Sequence, residues 1–264
     1  MLLRRLGGFL FLFFWTGTDW DYKTKDSLPG DIKLTNEEGN EYIVSREEPT
    51  TAFESLGVPL DLANSSPDAL NAVTKKCNEF ASQMKTAKCD KTSCLNAFNT
   101  LFMPTLSYCM MATQFTEKQW DKAIRPAIRA TMNAAGMAKN IAHAIFYGPL
   151  EYQGIGAQNP YILQGIIHII AFLNEGVCNS STGELLRANA EFFRVEMGIP
   201  FSLTNTKYDE KIYAFYMPSG WYKNLWKFMS TSIFDLDIME DYLDLPILRE
   251  KDVYLMEAFV KGGF

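Results

Sequence analysis

The sequence predicts a mainly α chain with a small β element at its amino end (α+β), and three observations carry that prediction. The first sixty residues alternate short strand-like runs with turn residues. From Ser66 onward apolar residues recur at helical spacing. The helical part also opens its segments on capping residues such as Ser66, Thr116 and Ser181.

At the amino end, "MLLRRLGGFLFLFFWTGTDW" places two arginines before the apolar run Leu6–Trp15, an imitation of a signal peptide. The run is too short to span a bilayer, and bulky Phe14 and Trp15 stand where a cleavage site needs small residues. A buried strand is the preferred reading. "DIKLT" and "EYIVS" then flank the turn "NEEGN", which predicts a hairpin from Asp31 to Ser45 with Gly39 at an unusual backbone angle. "FESLGVPL" at Phe53–Leu60 is a third short apolar segment.

Ser66 reads as an N-cap with Pro67 at the first helical position, and Leu70, Val73, Cys77, Phe80 and Met84 mark the apolar face. A second helix is expected from about Ser93 to Met111, interrupted or kinked at Pro104. The third begins with the capping box Thr116/Gln119, bends at Pro126 and stops at Gly136. A glycine-bearing loop (Tyr147–Pro160) leads to an apolar helix over Tyr161–Asn174, ended by Gly176. Ser181 with Glu184 predicts another capping box, on a helix closing at Gly198-Ile199-Pro200. A Trp-rich helix follows Ser219, and the tail from Phe234 is acidic. These elements divide as 1–60, a β-rich end; 61–136, a first helical region; and 137–264, a second helical region with the acidic tail.

The net charge of −6 and a pI near 5.1 argue against a chain coated by nucleic acid over its whole surface. The charge is segregated, however: residues 75–139 carry a net +6 and the rest −12. Within the basic part, Lys118, Lys122, Arg125 and Arg129 form one stripe along a helix. Trp120, Ile124, Ala127 and Thr131 repeat the spacing about 200° around the axis.

The five cysteines match no zinc spacing and read as reduced thiols of an intracellular protein. His143 and His168 both lie in apolar surroundings and read as packed side chains rather than ligands. The sequons at Asn64 and Asn179 matter only for a secreted chain, and both coincide with helix starts. There is no P-loop, GxSxG elbow or HExxH, and Gly154-Ile155-Gly156 reads as a turn. Asp19/Asp21 and the run Asp235, Asp237, Glu240, Asp241 and Asp244 could be weighed as metal ligands, but such runs are usually solvated faces.

Three readings of the basic helix remain open on these grounds. It is an ordinary amphipathic helix, with Asp121 pairing Arg125 and Glu117 beside Lys118; or a phosphate-tracking surface, since each neutralised phosphate releases counterions; or, third, a helix lying on an anionic membrane.

Several segments, in order, resemble the carboxyl-terminal part of reverse transcriptases from non-LTR-type retroelements. They are Leu56-Gly57-Val58, Pro104-Thr105-Leu106-Ser107-Tyr108, Thr116…Gln119…Pro126, Tyr147-Gly148-Pro149, Gly154/Gly156 and Gln164, with "WDYKTKDSLPGDI" upstream. The resemblance runs from about Trp20 onward. It implies a palm-end remnant (1–60), a thumb-like helical region (61–136) and a helical connector (137–264).

By resemblance, Lys118, Lys122, Arg125 and Arg129 hold the backbone of an RNA–DNA duplex, weakly and without reading sequence. Leu56, Gly57 and Val58 form the primer grip. The family's catalytic Asp-Asp pair is absent from this sequence, Gln153 stands at a usual turn glycine, and the first residues depart from the pattern as a truncated first exon would. The expectation is therefore a catalytically incomplete fragment with no catalytic residue, metal or other cofactor of its own; magnesium belongs to the missing part. Its partner is nucleic acid, with no membrane and no small-molecule substrate, in the nucleus or cytoplasm. The runner-up is a protein- or membrane-interaction module using the basic helix and exposed aromatics such as Trp221 and Trp226. A secreted glycoprotein is third.

Overall fold

Strands occupy the amino end of the chain. In the computed structural model, which describes residues 2–6, 9–15, 20–22, 32–35, 39, 41–44, 52–55, 57–60, 67–138, 141–199, 207–215, 217, 220–231 and 261–262, they form three small antiparallel sheets. β1 (Leu2–Leu6), β2 (Phe9–Trp15) and β3 (Trp20–Tyr22) pair in sequence order, with Leu3 opposite Leu12 and Phe14 opposite Asp21. The signal-like apolar run is thus strand in form. β4 (Ile32–Thr35) and β5 (Glu41–Val44) make the expected hairpin, and Gly39 has φ +83°. β6 (Phe53–Ser55) and β7 (Val58–Leu60) pair with Ser55 opposite Val58. Leu56-Gly57-Val58, expected in one strand, therefore straddles a tight turn: Gly57 sits in the connection with φ +79°, and Leu56 lies outside the described residues.

The remaining described residues are mostly helical, so the chain is mainly α with a small β element at its amino end. Its contacts divide it into two units, Met1–Cys77 and Asn78–Phe264, and the division falls within α1 (Pro67–Thr86). That helix starts at Pro67 as read, because the missing proline N–H would have no partner in the first turn.

In the second unit, α2 (Lys91–Asn96) begins two residues before the expected start. Asp90 caps it, accepting from the amides of Thr92 and Ser93. The chain then widens into a π-helical stretch, Ala97–Phe102, before α3 (Met103–Met110). Pro104 explains the widening: it has no N–H for the Thr100 carbonyl and its ring would crowd that turn. α4 (Glu117–Ala134) starts on the Thr116/Gln119 capping box and runs through Pro126. It closes at Gly136, φ +68°, with Met137 donating to Met132 and Gly136 to Asn133, the double bond of a left-handed cap.

α5 (His143–Tyr147) and a short 3₁₀ turn, Leu150–Tyr152, precede α6 (Pro160–Val177). Asn159 caps α6, and the helix passes through Gly176, where it was expected to end. α7 (Ser181–Met197) is capped by Ser180, one residue before the expected Ser181, and stops at Gly198. Arg187 of α7 is buried and donates to the carbonyls of Gly176 and Cys178, supplying positive charge at the carboxyl end of α6. α8 (Glu210–Tyr213) and α9 (Trp221–Thr231) complete the described elements.

Two apolar clusters stand out among the described residues. One joins α6, α7 and α9 through Phe172, Ala190, Leu225, Trp226 and Phe228. At Gly165 a Cβ would stand 2.2 Å from the Phe228 ring, so α6 and α9 approach as closely as they do because that residue is glycine. The other joins Ala81 and Met84 with Cys94 and Ala130. Beside it, Phe80 stacks on Phe102 at 4.1 Å and Phe98 meets Phe146 edge-on at 5.6 Å. Trp226, expected as an exposed docking aromatic, is instead 1% exposed, and half-buried Trp221 lies against the His168 ring. The helix turns its apolar stripe inward, as burial energy demands.

Candidate functional site

The inner face of α4 is fixed before its outer face matters. Trp120, Ile124, Ala127 and Thr131 are all buried, as their spacing predicted, and Ala123, Ile128, Ala130 and Met132 widen that face. Gln164 of α6 anchors the start of the helix. Its side-chain oxygen accepts from the Phe115 amide at 3.1 Å and from the Trp120 indole N–H at 2.9 Å. Its Nε2 donates to the Phe115 carbonyl at 2.9 Å. A buried amide making three of its four possible hydrogen bonds in this way gives α4 one rotation about its axis.

That rotation puts Lys118, Lys122, Arg125 and Arg129 all on the exposed side. The eleven rises from Lys118 to Arg129 span about 16 Å, so the row presents four cations over that length. Among the described residues none of the four takes part in an ion pair. Asp121, expected to pair Arg125, instead faces His143 Nδ1 at 4.0 Å. His143 is therefore not the packed side chain its apolar neighbours suggested: it is exposed, between Asp121 and the Tyr147 ring. Close by, burial pushes the Tyr147 phenol well above its ordinary value, and the Asp121 charge adds to the shift.

His168 is packed, as read. It is 2% exposed, and its Nε2 lies 2.6 Å from the Met110 carbonyl oxygen. Burial holds the imidazole below its ordinary value against that hydrogen bond, so it is neutral at pH 7 and donates to Met110 from Nε2.

The glycine loop is a turn that folds back on α5. Ile155 donates to the Ile145 carbonyl, Gly156 to Gly148 and Ala157 to Phe146. A Cβ on Gly154 would fall 2.0 Å from the Gly148 carbonyl oxygen, so only glycine permits this approach. Gln153 adopts φ +62°, the left-handed region where a glycine is at ease. Asn99, in the π-helical stretch, fixes the loop by donating to Gly156 and accepting from Gln158. Sequence reading assigned Asn99 and Arg187 nothing; a polar residue inside an apolar helical run was the signal available for both.

Beside the start of α4 lies a groove of about 400 Å³ between α4, α6 and α9, its wall including Tyr161 and Phe228 and its rim Lys118 and Lys227. Lys227 pairs with Glu210, whose carboxyl that ammonium holds below its ordinary value.

Of the expected grip, Gly57 is exposed and Val58 is buried at 5%. None of the five cysteines is joined in a disulfide, and Cys77, Cys94 and Cys109 are buried. Among the described residues no group of three His, Cys, Asp or Glu stands ready for a metal. Asp19 and the run Asp235–Asp244 lie outside the described residues, as do the side chain of Asp21 and Asn64. No single described helix is long and apolar enough to cross a membrane. The fold and site thus define a mainly α protein with a cation row on one anchored helix. No protein-family model, curated protein or solved structure matches the chain.

Proposed function

We propose that this chain is the palm-end, thumb and connector portion of a non-LTR-type reverse transcriptase, and that α4 holds nucleic acid by its backbone. The observation that supports this reading most is the exposed row of Lys118, Lys122, Arg125 and Arg129, in no ion pair among the described residues, on a helix whose opposite face is wholly buried. Four cations at helical spacing on a rigid support can neutralise successive phosphates without reading bases.

Gln153 in a left-handed turn and Gly154 pressed against Gly148 are consistent with the family's glycine-rich turn, where the sequence has glutamine in place of one glycine. Polymerisation is not assigned to these residues, because the sequence carries no Asp-Asp pair; holding the duplex is their part. A nuclear or cytoplasmic site of action goes with this proposal.

The test is binding of a short RNA–DNA duplex by the wild-type chain and by the variant with all four cations changed to Gln. All four side chains are exposed, so the variant should fold normally. Loss of binding in a folded variant supports the reading. Unchanged binding refutes it.

A further inference from the structure

The groove between α4, α6 and α9 shares a residue with the cation row. Lys118 is both the first cation of the row and part of the groove's rim. Its ammonium enters no ion pair among the described residues, whereas Lys227 across the groove is engaged by Glu210. A strand held along the row is therefore led to the groove at its Lys118 end. Tyr161 forms part of the wall there; it is half-buried and meets Phe228 edge-on at 5.5 Å. That leaves its ring partly open to a planar ligand. Phe115 and Phe228 are too buried, at 2% and 4%, to offer a face themselves. Glu117 also lines the groove, near enough that its charge bears on the Tyr161 phenol, and it supplies a carboxylate acceptor.

A cation, an aromatic face and a carboxylate acceptor around a cavity at the small end of ligand-site sizes suit one chemistry. We propose that this groove takes a single unpaired nucleotide, its phosphate at Lys118, its base against Tyr161 and an exocyclic amine on Glu117. The proposal rests on the reading of α4 above for the strand that delivers the nucleotide. Base–aromatic stacking of this kind contributes about tenfold in affinity per base.

The test uses the full chain and three probes: a blunt RNA–DNA duplex, the same duplex with a short adenine overhang, and adenosine monophosphate alone. The overhang should bind about tenfold more tightly than the blunt end. Tyr161→Leu, which keeps bulk against Phe228 but loses the ring, should abolish that advantage, and Tyr161→Phe should keep it. Saturable binding of the mononucleotide, lost in Tyr161→Leu, with no overhang preference assigns the groove to a free nucleotide.

Equal binding of blunt and overhanging duplexes with no mononucleotide binding overturns the proposal, as does an advantage that survives Tyr161→Leu. The triple change of Lys122, Arg125 and Arg129 to Gln separates the two ideas. If it leaves duplex binding intact while the overhang advantage still needs Tyr161, the α4 reading fails and the groove stands. If it removes duplex binding while wild type shows no overhang preference or mononucleotide binding, the groove fails and the α4 reading stands.

Discussion

Replacing Gln164 by Leu keeps the side chain's bulk and removes its three hydrogen bonds. The Phe115 amide and carbonyl and the Trp120 indole N–H then lose their partners in an interior where Phe115 is 2% and Trp120 1% exposed. Each buried polar group left unpaired costs about 1–3 kcal/mol, so with three orphaned the variant should lose roughly 3–9 kcal/mol. That is a large part of the stability of an ordinary domain, about 5–15 kcal/mol. Urea denaturation followed by tryptophan fluorescence measures the loss, and hydrogen exchange at the Phe115 amide should accelerate in step.

A double-mutant cycle sharpens the reasoning. Trp120→Phe deletes one of the orphaned donors, so Gln164→Leu should cost about 1–2 kcal/mol less in that background. A single-variant loss under about 0.5 kcal/mol, the size of an ordinary surface substitution, would refute the claim that Gln164 anchors α4.

Further outcomes follow from other residues. His168 is held below its ordinary value by burial, so its contribution to stability is full above about pH 6.5 and is lost as pH falls through the lower folded-state value. The slope of Tm against pH across that window should flatten in His168→Gln, which keeps a donor for Met110 but does not titrate. Gly154→Ala forces a Cβ onto the Gly148 carbonyl and should destabilise the loop by several kcal/mol, about 3 or more, read as a fall in Tm. Gln153→Gly relieves a left-handed backbone and should gain about 0.5–1 kcal/mol in denaturant unfolding. Trp226→Ala should cost about 3–5 kcal/mol by calorimetry, far more than an exposed docking aromatic would.

What the sequence made legible were features written locally. The α4 capping box, its Gly136 stop, its buried face and the hairpin around Gly39 all follow from residues within a few positions of one another, so periodicity and turn chemistry suffice. The candidate row was legible for the same reason, since four cations at helical spacing share a side of any helix.

What was hidden depended on partners distant in sequence. Nothing near Gln164 announces Phe115 and Trp120, and nothing near Asn99 announces the loop at Gly156–Gln158. His143 and Trp226 misled because composition reports a neighbourhood, not an orientation. Asp121 comes to His143 across two helices, and the turn of α9 sends Trp226 inward. The boundary at Gly176 shows the weakness of a single stop residue: a buried glycine inside a packed helix need not end it.

The most direct measurement of the central claim is the salt dependence of RNA–DNA duplex binding, plotted as log affinity against log salt. If the cations of α4 meet phosphates, affinity falls steeply with salt, and changing Lys118, Lys122, Arg125 and Arg129 to Gln reduces the slope by about 3–4, close to one per contact removed. A slope that is the same in wild type and variant, or wild-type binding indifferent to salt, would contradict the account.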